Sequence, residues 1–209
     1  MKKLLGLALI TAVLLSGCGE VQISINKNAE PQTGENNSKE ETNKELTLVD
    51  DVKDGEKLTN ADKQKAIIKF INEDIQRVAE YEVVAFESLA SVSGVNYTDD
   101  ETLYKELTST TIPSYEKALG EAESIEGKIP ELEEMTERIV SATQIFYDSL
   151  LLEKQAIEEQ DEVLIEESNA KIEEYYRLVE SYHSDMKLLA EKYDVTYQVD
   201  GQSGEVDEL

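Results

Sequence analysis

The chain has 209 residues, 46 of them acidic against 20 basic, and a formal charge of −26. That balance excludes nucleic acid as a partner, since phosphates are repelled where they would need neutralising, and it keeps the folded part off an anionic bilayer, which attracts Lys and Arg. One histidine and one cysteine exclude a disulfide framework and a Cys/His metal set, and they leave any hydrolase dependent on carboxylates.

The chain opens with Lys2 and Lys3, followed by an apolar stretch from Leu4 to Leu15. This is shorter than the roughly 20 residues a helix needs to span a bilayer, so it reads as the hydrophobic region of a signal peptide. Ser16 and Gly17 are small enough for an ordinary secretory cleavage site, but the lone cysteine follows them at once. The run Leu15-Ser16-Gly17-Cys18 resembles the lipobox of bacterial lipoproteins. The resemblance implies a diacylglyceryl group on the Cys18 sulfur, cleavage between Gly17 and Cys18, and a membrane anchor of two or three acyl chains. One chain alone would hold only marginally, at about 0.8 kcal/mol per buried CH₂. Residues 1–17 are then the signal peptide, and losing Lys2 and Lys3 takes the formal −26 to −28.

Residues 18–60 are rich in Asn, Glu, Lys, Gln, Thr and Gly, apart from a brief Val21-Gln22-Ile23-Ser24-Ile25 alternation. A strand there would have no partner, so the segment reads as a flexible tether spanning about 35 Å root-mean-square. Asp50, Asp54 and Gly55 match three positions of an EF-hand loop. Val52 occupies a ligand position and Ala61 replaces the bidentate glutamate, so an acidic linker is expected and no calcium site.

From 61 to 195 the helical period dominates. Thr59 or Asn60 caps a first helix whose stripe runs Ile68, Ile71, Ile75, Val78, Ala85, Leu89 and Val92, interrupted by Glu82. Gly94 and Asn96 end it, and Thr98-Asp99-Asp100-Glu101 has the spacing of a capping box for the second. There Leu103, Leu107, Tyr115, Leu119, Ala122 and Ile125 share a face, and Pro113 either kinks the helix or starts a new one. Gly127 suits a helix C-cap and Pro130 a first helical turn. The third stripe is Leu132, Met135, Ile139, Ala142, Phe146, Leu150 and Ile157.

No Gly or Pro lies between Glu131 and Asp200. An unbroken helix over those 65 or so residues would be about 97 Å long, so we expect a turn in the all-polar run Glu158 to Glu162, with Asp161 as N-cap. The fourth stripe is Ile165, Ile172, Tyr175, Val179, Tyr182, Met186, Leu189 and Tyr193, with Ser168 as its gap. Residues 196–209 read as an acidic disordered tail. The fold class expected is all-α: an antiparallel four-helix bundle, or long helical hairpins with coiled-coil packing that would pair as a homodimer.

Glu180-Ser181-Tyr182-His183 has the Glu-x-x-His spacing of a dimetal carboxylate site, but such a site needs a second histidine. Glu82 admits two readings. Either the helix drifts, Glu82 reaches solvent and Tyr81 or Ala85 fills the seam, or Glu82 is a buried carboxylate, paired with a base such as Arg138, Arg177 or Lys187 or left with a shifted pKa that chemistry could use. Tyr175 and Tyr176 are adjacent and cannot both face one seam. No phosphate-binding loop, nucleophile elbow or free thiol nucleophile stands out. We therefore expect no catalytic residue, no cofactor and no metal ligand, and one site residue, Cys18, as a lipidation site.

The chain also resembles small lipoproteins of Gram-positive bacteria that carry a Lys/Asn/Glu-rich tether before a helical body. The resemblance implies the outer face of the cell membrane and brings no activity with it. The functional expectation is a non-enzymatic module binding a protein or envelope polymer of basic character. The alternative is a solute-binding protein or carboxylate enzyme with a site between helices.

Overall fold

A computed structural model describes residues 58–199. Four long helices pack as one bundle, and the described residues contain no strand. They are α1 (60–92), α2 (100–123), α3 (Pro130–Glu159) and α4 (Glu162–Lys192). Consecutive helices are joined by short links, and each packs on the next. α4 returns to α1 through long side chains: Gln64 Nε2 donates to the Tyr193 carbonyl at 2.6 Å, and the Phe86 and Tyr175 rings lie 6.2 Å apart. The four-helix core expected from the stripes is thus complete within one chain.

Most of the helix ends follow from local chemistry. Thr59 and Asp62 form a reciprocal capping box at the start of α1. At its end Gly94 takes a positive φ of 56°, and Asn96 Nδ2 donates to the Ala90 carbonyl. Asp99, not Thr98, caps α2, accepting from the Thr102 amide at 2.8 Å. Pro130 lies in the first turn of α3, where a missing N–H costs nothing. The α3–α4 turn falls in the expected polar run: Gln160 adopts a left-handed conformation and Asp161 caps α4 through the Val163 amide at 2.9 Å.

Two wide turns were not anticipated. In α1 the residues Phe70–Asp74 form a π turn, with the Ile75 amide donating to the Phe70 carbonyl. The extra residue brings Ile75 back beneath Phe70, so Ile67, Phe70 and Ile71 face inward together with the stripe from Ile75 onward. Phe70 and Ile67 therefore occupy the core, while Ile68 and Val92 sit at its margin. A second π turn, Leu107–Thr111, precedes Pro113. The helix runs on through the proline: after the widened turn, Pro113 sits in the first turn of the α-helical segment Ile112–Glu123, where its missing donor costs little.

Gly127 is not the cap of α2, which ends at Glu123 with Ser124 following. A Cβ on Gly127 would come within 2.9 Å of the Glu133 backbone nitrogen, so close approach to α3 explains the glycine. Past α4 the chain still packs: Val195 is buried, and the Tyr197 hydroxyl lies 2.7 Å from His183 Nδ1. The acidic tail drawn from Thr196 thus begins with residues that belong to the bundle. No helix among the described residues is long and apolar enough to cross a membrane.

Candidate functional site

Glu82 is fully buried, which overturns the expectation that it reaches solvent. The seam of α1 passes Val78, Ala79, Glu82, Ala85 and Phe86, and the helix does not drift to avoid the carboxylate. Tyr81 stays half-buried, with Lys117 Nζ 5.7 Å from its ring centroid. Arg138 is engaged elsewhere, by Glu134 and Asp185, while Arg177 and Lys187 are exposed.

Two tyrosines from different helices converge on the carboxylate. The Tyr115 hydroxyl on α2 donates to Glu82 Oε1 at 2.9 Å, and the Tyr175 hydroxyl on α4 reaches the same oxygen at 3.4 Å. Aromatic rings surround the group. Phe146 of α3 lies 4.8 Å from Tyr115, 4.9 Å from Tyr175 and 4.9 Å from Phe86, measured between centroids. Every helix therefore contributes one side chain or more to this layer. Burial, and then the Glu82 charge, push both tyrosine hydroxyls well above their ordinary range, so they remain donors at any ordinary pH. The arrangement can hold a carboxylate in a dry interior by charge-assisted hydrogen bonds and can fix which faces of α1, α2 and α4 meet.

Glu153 is a second buried carboxylate, and sequence reasoning missed it. It is 1 % exposed, neither oxygen has a hydrogen-bond partner, and burial pushes its pKa up to about 7. The signal was available: the third stripe leaps seven residues from Leu150 to Ile157, and Glu153 fills the middle of the gap.

His183 is buried against Tyr182 and Tyr197, while Glu180 is exposed, so the Glu-x-x-His pair does not converge. Among the described residues no group of three or more His, Cys, Asp or Glu side chains could hold a metal ion. An open groove of about 420 Å³ runs along α3, lined by Thr136, Glu137, Val140, Ser141, Gln144 and Ile145. Tyr175 is buried and Tyr176 half-buried, as their adjacency required. Cys18, the tether with Val21–Ile25, and the Asp50–Gly55 run lie outside the described residues.

Comparison with known proteins finds no matching family model, no similar curated protein and no similar solved structure.

Proposed function

We propose that this protein is a lipid-anchored, extracytoplasmic module that acts by binding and performs no catalysis. The observation that carries the reading is the run Leu15-Ser16-Gly17-Cys18 behind a short apolar stretch, with Cys18 the one cysteine available to take lipid. Acyl chains on Cys18 hold the chain at the outer face of the cell membrane, and residues 19–60 let the bundle stand away from it. An acidic bundle suits a basic partner, a protein segment or an envelope polymer, with association that weakens as salt is added.

The test is cross-linking in intact cells of the lipidated protein beside a Cys18→Ala form, with partners identified by mass spectrometry. A dominant partner captured by the anchored form and lost from the other is the result expected. Equal capture by both forms, or weak and salt-indifferent attachment to every envelope fraction, overturns the reading.

Glu82 favours one second reading, in which its buried carboxylate and the Tyr115 and Tyr175 hydroxyls serve a solute or a reaction between helices. Thermal scans against sugars, peptides and divalent ions decide it. A ligand-specific rise in the midpoint that Glu82→Gln abolishes supports it, and a flat response across the panel removes it.

A further inference from the structure

Glu153 belongs to the last two turns of α3 before the left-handed turn at Gln160. Its level in the bundle is set by contacts on either side. Tyr104 of α2 donates to Glu158 at 2.6 Å beyond it, and Ser168 of α4 donates to the Ser149 carbonyl at 2.9 Å before it. Glu153 is therefore enclosed where α2, α3 and α4 are all packed, near the end of the bundle remote from Thr59.

The charged neighbours on each element are engaged or turned outward. On α3 itself Lys154 pairs with Glu158, and Asp148 pairs with Lys171 of α4. On α2 Tyr104 is bound to Glu158, Glu106 accepts from Ser88 of α1, and Lys105 is exposed. On α1 Glu87 is exposed, as are Glu162, Glu166 and Glu167 on α4. No nearby charge shifts the Glu153 carboxyl; burial alone does so. An enclosed carboxyl with neither oxygen bonded is tolerable as the neutral acid and costly as the anion.

We propose that Glu153 makes this end of the bundle a proton-linked catch, packed while the carboxyl keeps its proton and loosened when the proton leaves to solvent. The change is one dissociation, COOH to COO⁻ plus a released proton, with no other reactant. The anion gains hydration only if α3 and α4 part near Gln160, so deprotonation and local opening occur together. Glu82 differs in its surroundings, since the Tyr115 and Tyr175 hydroxyls reach its carboxyl while neither Glu153 oxygen has a partner.

The experiment compares amide hydrogen exchange in the full-length chain and in Glu153→Gln at matched pH values from 5 to 8, which cancels the intrinsic pH dependence of exchange. Relative to the variant, protection of amides in 150–172 should fall on the order of fifty-fold across that range. A native-to-variant ratio that stays constant overturns the proposal. Should Glu153→Gln fold poorly, a carbon-13 NMR titration of the Glu153 carboxyl in the native chain decides the point. A midpoint far above that of an ordinary glutamate supports the catch, and an ordinary midpoint removes it. Neither outcome depends on the lipid anchor.

Discussion

Tyr115 and Tyr175 meet Glu82 at unequal distances, 2.9 and 3.4 Å, so the Tyr115 bond is the stronger of the two. Removing the Tyr115 hydroxyl leaves a buried carboxylate short of its better donor, which costs about 1–3 kcal/mol. Denaturant unfolding of Tyr115→Phe should show that loss, and Tyr175→Phe should lose less; the reverse order would contradict the geometry. Glu153 predicts the opposite sign. Its folded-state pKa of about 7 stands above the ordinary 4.5, so its contribution is fully present below pH 4.5 and is lost as pH rises through 7. The span corresponds to about 3 kcal/mol. Glu153→Leu should therefore be more stable than the native chain at pH 8, with most of the advantage gone at pH 5. Both carboxylates show where residue-level reading stops. Stripe spacing places Glu82 and Glu153 on buried faces, but the tyrosines that make Glu82 tolerable come from α2 and α4, and nothing local to Glu153 announces its lack of a partner.

Two glycines, one inside α2 and one in the link that follows it, stand for different reasons. Gly120 lies exposed within α2, and a Cβ there meets nothing within 4 Å, so Gly120→Ala should stabilise by about 0.5–1 kcal/mol through helix propensity. Gly127→Ala would press on the backbone of Glu133 and should destabilise by roughly 1–3 kcal/mol. Thermal melts of the two variants should move in opposite directions. At this scale the sequence is most readable where one side chain decides an end. Thr59, Pro130 and Asp161 act as expected, and the polar run at 158–162 is where the long helical stretch turns. It is least readable where two answers satisfy the same local pattern. Asp99 and Thr98 both fit a cap, and the π turns change phase without any marker residue except Pro113, whose effect on α2 could be met by a break or by a wider turn.

Across the molecule, two carboxylates bend the pH dependence from opposite sides. Glu131 lies where α1, α3 and α4 come together, held by Lys63 Nζ and the Tyr193 hydroxyl, each at 2.6 Å, which lower its pKa to about 2. Its contribution is present above the ordinary 4.5 and is lost as pH falls through 2. Glu153 weakens the fold above 4.5, and repulsion among the many acidic groups grows in the same direction. The thermal midpoint should therefore peak near pH 5, decline towards pH 8, and recover in part when salt is added at pH 8. A midpoint that climbs steadily to pH 8 would contradict this. The stripes foretold four packed helices because helix periodicity needs no knowledge of partners. The proposed function rests instead on Cys18, which lies outside the described residues. The most direct measurement is mass spectrometry of the N-terminal peptide from protein isolated out of the cell envelope. We expect a chain beginning at Cys18 with a diacylglyceryl group on its sulfur; a chain beginning elsewhere, or an unmodified Cys18 thiol, would contradict the account.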